Sequence, residues 1–241
     1  MSSPKSMWDY LGEIIPGGIL LLSYNQYSLG WKIVVKLMKD EIDAGGFGII
    51  TNVALPFRKF YRRMKSGGID IIKEGEAGNL AVIDLLNKES PPYAFVYPLT
   101  DVDDTTIIPK YGRVHKRILQ DYDLKNRRVV HALATLSTLY DKFGEKSVRD
   151  LLMARLRVGE KLIKEGLNFW DIFIVNSDEV PERFHSYLVS ISDYVIIAQG
   201  ILEENAFVEN IAITKGPSEY FRPVLLQKRI PSILIPPEKI Y

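Results

Sequence analysis

The chain has 241 residues, 46% of them hydrophobic, and its 31 basic and 30 acidic residues give a net charge of +1. This balance argues against a dedicated nucleic-acid-binding protein, and the absence of cysteine excludes disulfides, thiol catalysis and cysteine metal sites. The length suits one α/β domain over residues 1–241. No apolar run approaches about 18 residues, and no signal-peptide core is present, so a cytoplasmic location is expected. The plentiful Lys and Glu are typical of proteins adapted to heat.

The first elements of the chain have the outline of a phosphate-binding loop. Ser6 is expected to cap a short helix that ends near Glu13, and a Pro-Gly-Gly turn leads into a buried strand over 19–22. Apolar residues at helical spacing predict a helix over 32–44, after a polar turn. A helix N-terminus that follows a strand and a turn suits an anion. The turn is either a plain connection or a ligand site formed by Tyr24, Asn25, Gln26, Tyr27 and Ser28.

The next segment predicts a strand and a basic helix. The strand is Phe47–Val53, and Pro56 opens a helix over 57–65. Basic residues beside aromatic ones are typical of surfaces that bind nucleic acid or another polyanion, and the candidates here are Arg58, Arg62 and Arg63. The alternative interpretation is an amphipathic helix, with the aromatic residues on the inner face and the basic residues on the solvated face.

The middle of the chain is less regular. Short strands are predicted over 69–72, 80–86 and 93–97. The region from about 87 to 125 is expected to be otherwise irregular, apart from a helix over 110–120 on which His115 is a surface residue.

Two further core strands are predicted over 127–133 and 169–175, with a long helix over 148–165 that Ser147 caps. His131 is expected to be buried and hydrogen-bonded, the alternative being a coordinating role. Polar residues that follow the second strand lie where α/β sites usually form. Asp178 and Glu179 are therefore the best acid candidates, unless they only cap the helix near 181–191.

The C-terminal third predicts strands over 192–197, near 211–214 and near 224–226. Prolines mark an irregular tail over 230–241, in which 233–235 is expected to add an edge strand or to dock on a partner.

From Leu21 to Ile71 the chain resembles the RecA-like ATPases of the KaiC and RadA group, without a gap. The resemblance places the three glycines of that family's loop at Tyr24, Tyr27 and Leu29, its lysine at Gly30 and its Ser or Thr at Trp31. Lys32 is no substitute for that lysine, because two positions turn a helical residue by roughly 200°. The segment 62–70 closely matches the family pattern after the second strand.

The resemblance also locates the catalytic carboxylates, and they are missing. The glutamate that activates water falls on Ala54 and Leu55. The aspartate that orders magnesium falls on Ala134, or on His131 or Ala132 if the strand is shifted. Lys215 is retained from the family's Lys-x-Arg, but Pro217 replaces the arginine. In detail the chain is similar to an uncharacterised family of degenerate RecA-like proteins from heat-loving archaea.

The resemblance implies a three-layer α/β fold with a mostly parallel central sheet and antiparallel C-terminal strands. Because phosphoryl transfer depends on charged groups around the γ-phosphate, we expect no catalytic residues, no metal site, and neither ATP nor magnesium as a cofactor. The predicted role is contact with a protein partner or self-association, since relatives form rings. One alternative is a repurposed ligand pocket that includes the loop, His131 and Asp178. The other is nucleic-acid binding through the helix over 57–65.

Overall fold

Nine strands form one sheet in the part of the chain that the computed structural model describes, residues 6–53, 55–85, 87, 89 and 91–231. The strands are β1 (Ile19–Tyr24), β2 (Phe47–Val53), β3 (Leu80–Leu85), β4 (Val96–Leu99), β5 (Val129–Leu133), β6 (Phe169–Asn176), β7 (Tyr194–Glu203), β8 (Ala206–Lys215) and β9 (Val224–Pro231). Their order is β4-β3-β2-β5-β6-β1-β7-β8-β9. The strands from β4 to β7 pair in parallel, and β8 and β9 add antiparallel. The predicted fold class is confirmed.

Helices cover both faces of this sheet. They are α1 (Trp8–Leu11), α2 (Trp31–Asp43), α3 (Phe57–Gly67), α4 (Ile71–Glu76), α5 (Ile107–Asp121), α6 (Leu136–Lys164) and α7 (Glu182–Ile191), with a 3₁₀ turn over Ser177–Glu179. None of the described helices is long and apolar enough to span a bilayer.

Two separate cores result from the alternation of side chains along each buried strand. In β1, Leu20 and Leu22 pack with residues of α2 and α3, whereas Ile19 and Leu21 pack with residues of α5, α6 and α7. Both faces of the parallel strands are therefore apolar, as expected of a sheet that lies between two helical layers.

Three sequence predictions about local structure are wrong. The predicted strand 69–72 does not form, because Asp70 accepts a hydrogen bond from the backbone N–H of Lys73 and so caps α4, which begins at Ile71. Ser147 does not cap a helix, because α6 begins at Leu136 and is only interrupted at Gly144, where φ is +75°. Ser6 makes no side-chain cap to α1. In the stretch expected to be otherwise irregular, the predicted short strand and helix are present as β4 and α5, with somewhat different bounds. The strand expected over 233–235 lies outside the described residues.

Candidate functional site

The loop between β1 and α2 lies at a change of direction in the sheet. β1 and β6 are neighbours, with Tyr24 opposite Asn176. After β1 the chain runs towards the β4 edge of the sheet, where β2 lies, whereas after β6 it runs towards the β9 edge, where β7 lies. Ligands of open α/β sheets bind at such a switch point, beyond the carboxyl ends of the strands. The fold thus places residues 25–30 where a site is expected.

The loop is fastened to β7 by Asn25. The Asn25 side-chain amide donates to the carbonyl of Gly200 over 2.9 Å, and its oxygen accepts from the Gly200 N–H over 2.8 Å. A Cβ on Gly200 would lie 2.5 Å from the Tyr27 carbonyl carbon, so only glycine allows the loop to approach this closely. Asn25 was predicted as a ligand contact, but both polar groups of its side chain bond to Gly200 and hold the loop against β7.

Two carboxylates of the chain itself accept hydrogen bonds from backbone N–H groups of the loop. Gln26 N–H donates to Asp178 Oδ2 over 2.9 Å. Leu29 N–H is 3.2 Å from each carboxylate oxygen of Glu209, and Ser28 Oγ donates to Glu209 Oε1 over 2.5 Å. A phosphate-binding loop offers its N–H groups to the ligand. Here a phosphate would have to displace two negative charges that already hold those donors.

Asp178 and Glu209 differ in how they reach the loop. Asp178 is exposed, on the turn after β6, as its position at a strand end predicted. Glu209 is buried in the middle of β8, where it is opposite Gly200. Sequence reasoning missed Glu209, although a carboxylate that follows Ala206, Phe207 and Val208 in a strand is a signal of a satisfied buried partner.

An apolar cavity lies beside the loop, between the sheet, α2 and α3. Its volume is about 50 Å³, well below the roughly 300 Å³ at which ligand pockets begin. Trp31, Leu55 and Ala134 line it, and these are positions at which the resemblance expects polar catalytic residues. Tyr24 lines it as well, whereas Tyr27 is half exposed.

The basic helix α3 supports its amphipathic interpretation. Phe60 and Met64 are buried, while Arg58 and Arg62 are exposed to solvent. Arg63 does not project freely, because its guanidinium lies 4.6 Å from the centre of the Trp31 ring.

Lys215 is occupied within its own chain. Its ammonium group donates to the backbone carbonyls of Val189 and Ser192 at the end of α7. Lys215, the lysine that the resemblance retains, therefore caps a helix C-terminus.

His131 is buried and hydrogen-bonded, as predicted, but it lies away from the loop. Its Nδ1 is 2.7 Å from Asp171 Oδ1, and its Nε2 is 2.9 Å from Tyr111 Oη and 3.1 Å from Thr51 Oγ1. These partners belong to the side of the sheet that α5 and α6 cover. Burial lowers the pKa of His131, and the nearby guanidinium of Arg155 acts in the same direction.

His115 is buried as well, and its predicted place at the surface is wrong. Burial holds the pKa of His115 well below its usual value, so that the ring is neutral. The signal was available, since His115 lies four residues after Tyr111 and three before Ile118, both on the buried face of α5. Among the described residues, no group of three or more His, Asp or Glu is placed to hold a metal ion.

The sheet order, the loop at the switch point and the antiparallel C-terminal strands define a RecA-like fold. Three solved structures share it. Uncharacterised protein PH0321 from Pyrococcus horikoshii, in complex with an unknown peptide, is 18% identical with a TM-score of 0.72, over 92% of this chain and 96% of that chain. KaiC-like protein PH0186 from Pyrococcus horikoshii OT3 is 16% identical with a TM-score of 0.62, over 93% and 90%.

The third is flagellar accessory protein FlaH from Methanocaldococcus jannaschii, 14% identical with a TM-score of 0.61, over 97% of this chain and 98% of that chain. No protein-family model and no curated protein matches the chain. The predicted resemblance to KaiC-like, RecA-like proteins is confirmed for the fold.

Proposed function

We propose that this chain is a non-catalytic RecA-like domain that acts through contacts with other proteins, as a binding or regulatory module. The observation that carries the first half is the occupation of the loop N–H groups by Asp178 and Glu209. A phosphoryl-transfer site surrounds the γ-phosphate with cations and N–H donors. This loop instead presents carboxylates, which repel a polyphosphate.

The cavity beside the loop supports the same proposal. Trp31 stands where a hydroxyl would hold magnesium, and Leu55 and Ala134 stand where carboxylates would activate water and order the metal. None of the described residues that line this cavity is an acid. Such a lining has no group to accept a proton from water.

Contact with proteins is supported by the C-terminal part of the molecule. Leu202, Leu225 and Tyr220, on β7, on β9 and on the segment that leads into β9, expose 64%, 72% and 82% of their surfaces, and large exposed apolar side chains favour a surface that contacts other proteins. The similar structure of PH0321 contains an unknown peptide. A peptide or protein partner is the class of ligand that this similarity favours.

Calorimetric titration with ATP and magnesium, together with thermal unfolding, tests whether the domain is non-catalytic and closed to nucleotides. A nucleotide present at 100 times its Kd would stabilise the fold by about 2.7 kcal/mol, which raises the Tm of a chain of this size by roughly 5–11 °C. We expect neither heat nor a Tm shift. Micromolar binding would overturn the view that the carboxylates close the loop to nucleotides and would require an assay of ATP hydrolysis.

The proposed contact with other proteins is tested by light-scattering mass and by affinity capture from a lysate of the organism that makes the protein. We expect either a mass above that of the monomer or a captured protein, and loss of that contact in Leu202→Ser and Leu225→Ser. A monomer that captures nothing would count against a protein-contact role. Met153→Ser, an exposed apolar residue on α6, is the control that should leave the contact intact.

The two alternatives have less support. The cavity beside the loop is far smaller than the roughly 300 Å³ of a usual ligand pocket, and the polar loop side chains Asn25 and Ser28 are engaged. Nucleic-acid binding would have to use Arg58 and Arg62, which remain exposed on α3, and would weaken steeply with salt. Absence of binding to single- and double-stranded DNA at low salt would dismiss it.

A further inference from the structure

The C-terminal strands form a three-stranded ribbon that extends beyond the parallel part of the sheet. β1 pairs with β7 only as far as Ala198, whereas β7 continues to Glu203 and pairs there with β8. β9 reaches the same end of the ribbon, where Pro231 lies opposite Ala206. Because β1 and β7 are parallel, the ribbon extends at the end of the sheet where the loop between β1 and α2 lies.

A row of apolar side chains crosses the ribbon near its tip. Leu202 lies opposite Phe207, and Phe207 lies opposite Ile230. Residues that are directly opposite in an antiparallel pair share one face of the sheet. Leu202 is 64% exposed and Ile230 is 39% exposed, while Phe207 is partly buried. The fold thus leaves a row of large apolar side chains open to solvent.

The loop between β1 and α2 extends this row into a larger apolar surface. Gly200 is two residues before Leu202, so it lies on the same face of β7, and there a Cβ would lie 2.5 Å from the Tyr27 carbonyl carbon. The loop is therefore seated on the ribbon beside the row. Its Tyr27 and Leu29 side chains are 50% and 43% exposed. We name this surface the ribbon patch, and it consists of Tyr27, Leu29, Leu202, Phe207 and Ile230.

The charges around the ribbon patch are mostly negative. The two cations of the outer ribbon are balanced, because Arg229 pairs with Glu203 over 2.8 Å and Lys228 lies opposite Glu209. Three exposed carboxylates near the patch form no ion pair with any described residue. They are Asp178 and Glu179, on the turn after β6, and Glu204, at the tip of the ribbon.

We propose that the ribbon patch binds a segment of another protein in which apolar side chains are flanked by lysine or arginine. The apolar side chains of that segment cover Tyr27 and the row on the ribbon, since exposed apolar patches with a polar rim are typical of protein contact sites. Its basic side chains meet the carboxylates at the rim, and such charge complementarity selects the partner. This assignment rests on the protein-contact function proposed above and names the surface and the chemistry of the partner.

Selection from short random peptides displayed on phage tests the assignment with the immobilised full-length protein. Such a library contains acidic, basic and neutral sequences, so the protein itself makes the choice. We expect the selected peptides to combine apolar residues with lysine or arginine. Their binding, measured by fluorescence anisotropy of the labelled peptide, should weaken as salt rises.

Variants of the patch locate the peptide site. Tyr27→Ser and Ile230→Ser should each weaken binding of a selected peptide at least tenfold. Ile201→Ser is the matched control and should change nothing, because Ile201 is 43% exposed near the same tip but lies on the opposite face of β7 from Leu202. Circular dichroism establishes that each variant is folded, and if one patch variant is unfolded the other decides.

A charge variant tests the rim. Asp178→Asn combined with Glu204→Gln should weaken binding of the selected peptides and make it less dependent on salt. Glu160→Gln, an exposed change on α6, is its control and should leave both properties unchanged.

Several results would overturn the assignment. They are selection of no peptide, selection of acidic peptides, and equal binding by the wild type and both patch variants. A captured protein that still binds both patch variants would preserve the protein-contact function and remove this surface from it, whereas a monomer that captures no protein counts against the function itself. An oligomer that Ile230→Ser converts to a monomer in light scattering would show that a second copy of the chain occupies the patch, and would also overturn the assignment.

Discussion

Removal of the Glu209 carboxylate should destabilise the protein by releasing the loop from β8. Glu209 is 7% exposed and accepts from Ser28 Oγ at 2.5 Å and from Leu29 N–H at 3.2 Å. Hydrogen bonds to a charged group contribute about 1.5–3 kcal/mol each. Two of them give about 3–6 kcal/mol, part of which is returned because the variant no longer buries a charge.

We therefore expect Glu209→Ala to cost about 3 kcal/mol, or roughly 6–12 °C in Tm for a chain of this size. Glu209→Gln keeps one carbonyl oxygen as an acceptor, so its cost should be about half as large. Urea unfolding followed by circular dichroism measures both free energies of unfolding.

Glu203→Ala is the matched control. Glu203 lies on the neighbouring strand β7, and its exposed carboxylate pairs with Arg229 over 2.8 Å. Exposed pairs contribute about 0–1 kcal/mol, so this change should have little effect. A Glu209→Ala variant no less stable than Glu203→Ala would refute the view that the buried carboxylate holds the loop.

Three further predictions concern packing and titration. Gly200→Ala should cost about 1–3 kcal/mol through overpacking, since its Cβ would lie 2.5 Å from the loop backbone. Gly112→Ala, which has open space around it, should instead stabilise α5 by about 0.5–1 kcal/mol. Thermal unfolding of the two variants compares these effects. His115 and His131 have lowered pKa values in the folded state, so below pH about 6.5 the unfolded chain binds more protons than the folded chain. The free energy of unfolding should therefore be highest above pH about 6.5 and fall below it by about 1.4 kcal/mol per pH unit for each ring. We measure the free energy of unfolding by urea at several pH values between 7 and 5. It should fall less steeply with decreasing pH in His115→Phe than in the wild type, and an equal dependence on pH would contradict this. Asp171→Ala should cost about 3–5 kcal/mol, because it leaves the buried guanidinium of Arg155 without its carboxylate; a loss below 1 kcal/mol by the same assay would argue against this.

The carboxylates at the loop also predict a gain of binding. The double variant Asp178→Asn, Glu209→Gln removes both negative charges while it keeps the side-chain shapes. It should bind pyrophosphate measurably better than the wild type, because the repulsion is gone. Equal absence of binding in both proteins would mean that loop geometry alone excludes the anion.

Much of the architecture was predictable from the sequence because it depends on local patterns. The bounds of β2 match the predicted strand, and the helical spacing of Phe60 and Met64 correctly gave the inner face of α3. The strand expected at 69–72 failed because a local cap, made by Asp70, prevailed over the β-propensity of neighbouring isoleucines.

The sequence by itself determined that the phosphate-binding residues are missing, since that depends only on which side chain occupies each position of a contiguous loop. Only the tertiary structure decided what replaces them. Glu209 meets Ser28 across 181 positions of the chain, and His115 and Arg155 come together only when α5 packs beside α6. Strand pairing and helix packing bring such distant residues into contact, and no local periodicity records which of them will meet.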